Sequence, residues 1–181
     1  MSVTTILLAR HGETDWNRDH RVQGHTDVPL NEEGRRQARA LSDRLDGQVF
    51  GAVYSSDLLR ASETAAILAE PRSLDVRKLE SLREKNFGTW EGLTDAEVHE
   101  RFGDPGPGGW EDAETMDEMA SRTLDAILGI GASHSDETVL VITHGGPMRA
   151  VLRHCGSDDG RIGNCEVVGV VVENGTMLRV D

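Results

Sequence analysis

The sequence predicts an α/β fold, a three-layer α/β/α sandwich around a mostly parallel central sheet. Short aliphatic runs alternate with stretches of helical periodicity over most of the 181 residues. Two of these runs, 6–9 and 139–143, lead directly into His-Gly pairs at His11-Gly12 and His144-Gly145. Because ligands bind at the carboxyl ends of parallel strands, we expect both imidazoles at that edge of the sheet.

The elements of the first half follow from caps and periodicity. A polar loop over 12–30 follows the first strand, and Asn31 is expected to cap the next helix. A second strand is predicted over 49–54. Residues 55–57 (Ser-Ser-Asp) are then expected to cap a helix that Pro71 ends. Arg60, in the first turn of that helix, is predicted to point towards the edge that carries His11.

In the second half, two capping boxes predict helix starts, at Thr94-x-x-Glu97 and at Thr115-x-x-Glu118. Residues 79–93 have no clean period and are expected to form a structured loop. Residues 104–118 begin with a run of Pro and Gly, and the sequence leaves open whether they form a lid over the site or a surface loop. Asn174-Gly175 predicts the turn of a closing β-hairpin.

Length and composition predict one soluble domain over residues 1–181, with no internal repeat or linker. No apolar run approaches the length of a membrane span, and the amino terminus lacks a signal-peptide pattern. Cys155 and Cys165 are the only cysteines, so we expect free thiols in a cytoplasmic protein and no cysteine-based metal site.

Net charge argues against nucleic acid or an anionic membrane as a partner, because 32 Asp and Glu outnumber 19 Lys and Arg. The charge is unevenly placed, since residues 1–60 contain eight basic and nine acidic residues. The end that carries Arg10-His11 is therefore nearly neutral, which is compatible with an anionic substrate. The oligomeric state stays open, and a homodimer is compatible with the sequence.

Four residues at strand ends predict an oxyanion pocket: Arg10, His11, Arg60 and His144. Guanidinium groups match phosphate oxygens bidentately, and a neutral imidazole with a fixed tautomer is a competent nucleophile. The turn that begins at Gly145 would add backbone N–H groups at a helix amino terminus. A carboxylic acid near such a pocket can donate a proton to a leaving alkoxide. The residues alone therefore predict a phosphate-handling pocket.

The arrangement of these residues resembles the histidine phosphatase superfamily, the phosphoglycerate-mutase-like proteins. Its landmarks occur in order over residues 5 to about 155: Leu-Ala-Arg-His-Gly-Glu-Thr at 8–14, Ser-Ser-Asp-Leu-x-Arg-Ala at 55–61, Leu-Arg-Glu at 82–84, Phe-Gly-x-Trp-Glu-Gly at 87–92 and Thr-His-Gly-Gly at 143–146. Glu114-Thr115 is similar to a Glu-Ser pair of many family phosphatases, but Ala113 replaces the preceding glycine, and no role follows for the pair.

The resemblance implies a covalent mechanism without metal or organic cofactor. His11 would become a phosphohistidine, and Glu84 would first donate a proton to the leaving group and then activate water. The resemblance also implies residues that bind the phosphoryl group, namely Arg10, Arg60, His144, Asn17 and the Gln23-Gly24 backbone. The implied substrate is a small phosphorylated metabolite, such as a sugar phosphate, a phosphoglycerate derivative or α-ribazole phosphate.

Three alternatives remain at this point. Glu80 and Glu91 compete with Glu84 as proton donor. A cofactor-dependent phosphoglycerate mutase would use the same site, although the short 85–143 interval and the Phe87-Gly88 pair favour the phosphatase branch. A binding module without turnover would keep the pocket but would have no need for the acid.

Overall fold

The structure is a computed structural model that describes residues 3–103, 112–157 and 160–180. Its centre is a six-stranded sheet with the spatial order β3-β2-β4-β1-β5-β6. In chain order the strands are β1 (Val3–Arg10), β2 (Ala52–Ser55), β3 (Val76–Lys78), β4 (Thr138–Thr143), β5 (Val167–Glu173) and β6 (Thr176–Val180). Strands β1 to β4 run parallel, and β5 and β6 add antiparallel pairs beside β1. The predicted, mostly parallel sheet is confirmed.

The helices of the described residues are α1 (Asp15–Arg18), α2 (Glu32–Arg44), α3 (Leu59–Ala69), α4 (Asp95–Phe102), α5 (Met116–Ser133) and α6 (Gly145–His154). None of the helices in these ranges is long and apolar enough to cross a bilayer. Asn31 caps α2, and both predicted capping boxes are present at the starts of α4 and α5.

Two hydrophobic clusters on opposite faces of the sheet produce the three layers. Side chains of α2 and α3 pack on one face against Leu140 and Ile142 of β4. Side chains of α5 and α6 pack on the other face against Val139 and Val141. Because successive side chains of a strand point to opposite faces, β4 is buried on both sides and its sequence is apolar throughout.

The helix cap predicted at residues 55–57 is wrong. Helix α3 begins at Leu59, whose backbone N–H donates to Asp27 Oδ1 at 2.6 Å, an acceptor that is distant in sequence. Asp57 instead forms an ion pair with Arg83. Asp27 of the pocket loop (residues 12–30) therefore caps this helix, in place of a side chain from residues 55–57.

The sequence does not predict two short elements, strand β3 and helix α1. Strand β3 has only three residues, two of them exposed, so it shows no periodicity. Helix α1 has one turn and a capping box in which Asn17 takes the position that Glu or Gln usually occupies. The hairpin at Asn174-Gly175 is confirmed, whereas residues 104–111 of the proposed lid lie outside the described residues.

Candidate active site

His11 and His144 follow two neighbouring parallel strands. Strands β1 and β4 pair with Arg10 opposite Thr143, and the His11 N–H donates to the Thr143 carbonyl at 3.0 Å. The two imidazoles therefore leave the sheet at the same edge, with ring centroids 5.1 Å apart and planes inclined by 60°. The chain leaves β1 for α2 on one face and leaves β4 for α6 on the other, which opens a crevice between the strands.

The surroundings of His11 set both its tautomer and its charge. Its Nδ1 lies 2.7 Å from the Gly12 carbonyl oxygen, and since a carbonyl only accepts, Nδ1 must carry the proton. The Nε2 lone pair is then free. Burial, reinforced by the charges of Arg60 and Arg10, holds the pKa of His11 well below its usual range, although the Gly12 hydrogen bond opposes the shift. His11 is therefore neutral at pH 7.

His144 is fully buried beside His11. Burial is the largest cause that lowers its pKa well below the usual range, and Arg60 lowers it further. Neither ring nitrogen has a hydrogen-bond partner within the part of the chain that the structure describes. A neutral imidazole in this position offers one N–H donor to a bound ligand.

Arg60 is the largest fully buried side chain, and two carbonyls of the pocket loop hold it. Its Nη1 donates to Thr26 O at 3.0 Å and its Nη2 donates to Gly24 O at 2.7 Å. Burial lowers the pKa of Arg60 to about 10, so the guanidinium remains charged at neutral pH. These two hydrogen bonds fix one edge of the group and leave Nε for a ligand.

Arg10 is anchored in a similar way, because its Nη1 donates to the Ile162 carbonyl at 2.7 Å. Burial lowers the pKa of Arg10, with Glu84 opposing the shift and Arg161 and Arg149 adding to it. The ordinary pKa of an arginine is so far above neutrality that the lowered group stays cationic near pH 7.

Unpartnered buried polar atoms converge at this edge of the sheet. They are Arg10 Nε, Arg60 Nε and the two ring nitrogens of His144, none of which has a partner among the described residues. Protein interiors rarely leave such atoms without a hydrogen bond. Donors from two cations and an imidazole match the oxygens of a tetrahedral oxyanion, so the pocket is built for phosphate.

The structure separates Glu84 from its two rivals. Glu84 lines the cavity, where its Oε1 accepts the Lys85 N–H at 2.9 Å and its Oε2 accepts the Gly146 N–H at 3.1 Å. The Glu80 side chain is 79% exposed and faces Arg83. Glu91 accepts hydrogen bonds from backbone N–H groups of two loops, and of the three glutamates only Glu84 is among the cavity-lining residues.

Glu91 ties the pocket loop to the loop after Glu84. Its Oε1 accepts the His25 N–H at 2.8 Å and the Phe87 N–H at 3.1 Å, and its Oε2 accepts the Thr26 N–H at 2.7 Å. Gly24 lies against the same carboxylate with φ +53, and a Cβ at this position would come within 1.9 Å of Glu91 Oε1. A side chain there would be strained and would displace the Glu91 carboxylate.

The remaining predicted binding residues take different positions. Asn17 and Gln23 line the cavity, and both use their Oδ1 or Oε1 to accept hydrogen bonds from Thr14. Gly145 is buried under the cavity residues at the start of α6, close to Arg10 Nε and Arg149 Nη1. The N–H of Gly146, which the sequence assigns to anion binding, is taken by the Glu84 carboxylate instead.

The cavity has a volume of about 360 Å³ and contains residues that the sequence analysis did not assign. Its lining comprises Arg10, His11, Asn17, Arg21, Val22, Gln23, Gly24, Arg60, Glu84, Phe87, Trp90, Asp95 and Arg149. Arg149 could have been found, since it lies four residues after Gly145 and therefore on the same helix face. No local sequence pattern indicates that Arg21 and Asp95 line the cavity.

Among residues 3–103, 112–157 and 160–180, no group of three His, Cys, Asp or Glu side chains is placed to hold a metal ion. The cations that line the cavity are instead guanidinium groups, those of Arg10, Arg21, Arg60 and Arg149.

The chain belongs to the histidine phosphatase superfamily (branch 1), whose family model matches residues 6–177. It is 39% identical over 163 residues to the metal-independent phosphoserine phosphatase of Arabidopsis thaliana, covering 82% of this chain and 67% of that protein. It is 34% identical to the glucosyl-3-phosphoglycerate phosphatase of Mycobacterium tuberculosis, covering 83% and 74%. A solved structure of Bacillus stearothermophilus YhfR superposes with a TM-score of 0.88 at 31% identity, covering 98% of this chain and 95% of that one. The predicted family and fold are confirmed.

Proposed function

We propose that this protein is a phosphomonoesterase that works through a phosphohistidine at His11 and needs no metal ion. The observation that carries the proposal is the convergence of unpartnered buried donors from Arg10, Arg60 and His144 around a neutral His11. This arrangement supplies a nucleophile and a pre-formed set of donors for the equatorial oxygens of a transferring phosphoryl group. Relatives that are named phosphatases support the same activity.

In the first step His11 Nε2 attacks phosphorus, and the ester P–O bond breaks as the N–P bond forms. The Nδ1–H remains hydrogen-bonded to the Gly12 carbonyl, and this bond stabilises the positive charge that the ring acquires. Arg10, Arg60 and His144 hold the phosphoryl oxygens. Glu84, in its carboxylic acid form, gives its proton to the leaving alkoxide.

In the second step water attacks the phosphohistidine, and Glu84, now a carboxylate, takes a proton from that water. The N–P bond breaks, inorganic phosphate leaves, and His11 returns to its neutral state. One carboxyl group thus acts first as acid and then as base, and it is protonated again when the cycle closes.

Arg149 favours substrates with a second anionic group. It lines the cavity, is half-buried, and makes no hydrogen bond or ion pair with the described residues. A Cβ on Gly145 would lie 3.5 Å from Arg149 Nη1 and 3.8 Å from Arg10 Nε, so the two guanidiniums lie close together. Phosphoserine and glucosyl-3-phosphoglycerate, the substrates that two relatives are named for, both carry a carboxylate near the phosphate ester. A phosphorylated carboxylic acid therefore fits this cavity better than α-ribazole phosphate or the phosphate ester of an uncharged sugar.

The first test is phosphate release from an aryl phosphate in excess EDTA, with the wild type and His11→Ala. We expect metal-independent turnover that falls by at least about 10³-fold in the variant. Turnover that EDTA abolishes would contradict the mechanism. No turnover, with phosphate still bound, would favour the binding module, or the mutase if 2- and 3-phosphoglycerate interconvert.

The second test compares 3-phosphoglycerate with glycerol 3-phosphate, which lacks the carboxylate. Arg149→Met should raise KM for 3-phosphoglycerate roughly 10-fold and leave KM for glycerol 3-phosphate nearly unchanged, because it removes one charged hydrogen bond. The exposed Arg153, on the same helix, provides the control variant Arg153→Met. Equal effects on both substrates would rule out carboxylate binding by Arg149.

A further inference from the structure

The segment that carries Glu84 has little regular structure, yet its backbone is tightly held. It includes the single-turn 3₁₀ helix Glu80–Leu82 and continues to a second one, Gly88–Trp90. Side chains donate to four consecutive carbonyls of this segment, from Ser81 to Glu84. The Leu82 carbonyl accepts from Thr143 Oγ1 at 2.7 Å, at the end of strand β4. The other three carbonyls all accept from one guanidinium group, and the Glu84 carbonyl also lies 2.9 Å from His25 Nε2.

This guanidinium group belongs to Arg122 of helix α5. Its Nη1 donates to Ser81 O at 2.9 Å and to Arg83 O at 2.7 Å, and its Nη2 donates to Glu84 O at 2.8 Å. The planar guanidinium therefore fixes the backbone on both sides of the Glu84 Cα. No other side chain in the described residues makes this set of contacts to the segment.

A carboxylate holds Arg122 in turn. Glu114 Oε1 accepts from Arg122 Nε at 2.5 Å, and Oε2 accepts from Nη2 at 2.8 Å. Glu114 also reaches the chain just after Glu84, because its Oε2 accepts the Asn86 N–H and its own N–H donates to the Asn86 carbonyl, both at 3.0 Å. Burial raises the pKa of Glu114, but the Arg122 and Asn86 hydrogen bonds outweigh this and hold the pKa below its usual value. The pair is thus charged at neutral pH.

We propose that Arg122 and Glu114 are positioning residues for the proton donor of the reaction. Neither side chain lines the active-site cavity, and their hydrogen bonds reach it through the backbone of the segment that carries Glu84. A general acid must lie within hydrogen-bond reach of the leaving oxygen, and a displacement of 1 Å costs much of its effect. This inference rests on the proposed function, in which Glu84 protonates the leaving group.

The test uses two substrates that differ in their need for that proton. An aryl phosphate such as p-nitrophenyl phosphate has a leaving group stable as an anion, whereas the alkoxide that leaves an alkyl phosphate must be protonated. The value of kcat/KM reports the steps up to loss of the leaving group. The ratio of the values for the two substrates therefore measures the contribution of protonation by Glu84. The variants are Arg122→Met, Arg122→Lys and Glu114→Gln.

Arg72 provides a matched control. It also holds backbone carbonyls, donating to Leu68 O at 2.7 Å and to Leu45 O at 2.8 Å, but it lies away from the active-site cavity. Arg72→Met therefore reproduces the loss of a structural arginine without touching Glu84. Thermal unfolding of every variant separates lost folding from lost positioning.

We expect Arg122→Met to lower kcat/KM for the alkyl phosphate roughly 10- to 100-fold more than for the aryl phosphate. Glu114→Gln should show the same selectivity to a smaller extent, and Arg122→Lys should recover part of the loss. Arg72→Met should lower both activities equally or not at all. If Arg122→Met does not fold, the other two variants decide the question.

Equal losses on both substrates in the Arg122 and Glu114 variants would overturn the inference and leave the proposed function standing. A wild type that hydrolyses neither substrate would instead overturn the proposed function, and the inference with it. The two failures are therefore distinguishable.

Discussion

The Glu84 carboxylate rests on the first turn of helix α6, where its Oε2 accepts the Gly146 N–H at 3.1 Å. This contact joins the candidate proton donor to the turn that follows His144, so the Glu84 carboxylate and the His144 imidazole keep a fixed separation. The contact depends on the absence of a side chain at position 146. A Cβ there would lie 2.1 Å from Glu84 Oε1.

Gly146→Ala should therefore displace the Glu84 carboxylate. Because the displaced atoms are the end of a flexible side chain, we expect little change in the free energy of unfolding but a loss of activity of roughly 10-fold or more towards alkyl phosphates. Gly129→Ala is the control, since a Cβ there meets nothing within 4 Å and alanine favours the helix. Full activity of Gly146→Ala in steady-state kinetics would show that the Glu84 position is unimportant.

Glu84→Gln and Glu91→Gln should differ in kind. The first removes the acid and should lower kcat for alkyl phosphates by roughly 10²-fold or more. The second replaces an acceptor of the His25 and Thr26 N–H groups and loosens the loop whose carbonyls hold Arg60, so it should mainly raise KM. Separate determination of kcat and KM for both variants checks this. A kcat loss in Glu91→Gln that is confined to alkyl phosphates would make Glu91 the acid instead.

Gly24→Ala should weaken phosphate binding and stability together. A side chain at φ +53 is strained, and its Cβ would meet Glu91 at 1.9 Å, which disturbs the carbonyl that anchors Arg60. Gly47→Ala shares the positive φ but points into open space, so it should cost only about 1 kcal/mol of stability and leave phosphate affinity intact. Isothermal titration with inorganic phosphate and thermal unfolding measure both effects. Equal phosphate affinity in the two variants would contradict the anchoring role of Gly24.

The free energy of unfolding should decrease as the pH is lowered, because of the two buried histidines. His11 and His144 have pKa values well below 6.5 in the folded protein and about 6.5 in the unfolded chain. Below about pH 6.5 the unfolded chain therefore binds more protons, and each histidine lowers the free energy of unfolding by up to about 1.4 kcal/mol per pH unit until its folded pKa is reached.

The measurement is thermal unfolding of the ligand-free protein between pH 7.5 and 5.5. The fall in Tm should be shallower in His144→Asn than in the wild type, and unchanged in His154→Asn, which alters an exposed histidine. The same pH slope in all three proteins would show that His144 takes up a proton as readily in the folded protein as in the unfolded chain.

The local sequence is sufficient to predict the main helices and strands, and the edge of the sheet at which His11 and His144 lie. Strand β4 is apolar throughout because it is buried on both faces, and Asn31 and the two capping boxes satisfy helix ends with residues three positions apart. Where the partner comes from far along the chain, the prediction fails. The Leu59 N–H is capped by Asp27, 32 residues away, and no pattern around residues 55–57 reveals it.

The sequence by itself determined the fold class, the family and the residues that meet at the strand ends, because a strand followed by His-Gly is a local pattern and adjacent parallel strands share an edge. Only the tertiary structure decided which glutamate faces the cavity, and that Arg122 and Glu114 hold the segment around Glu84. Those features depend on hydrogen bonds between residues as many as 62 positions apart. A local pattern cannot encode such pairings, because they exist only once the sheet has brought distant loops to one edge.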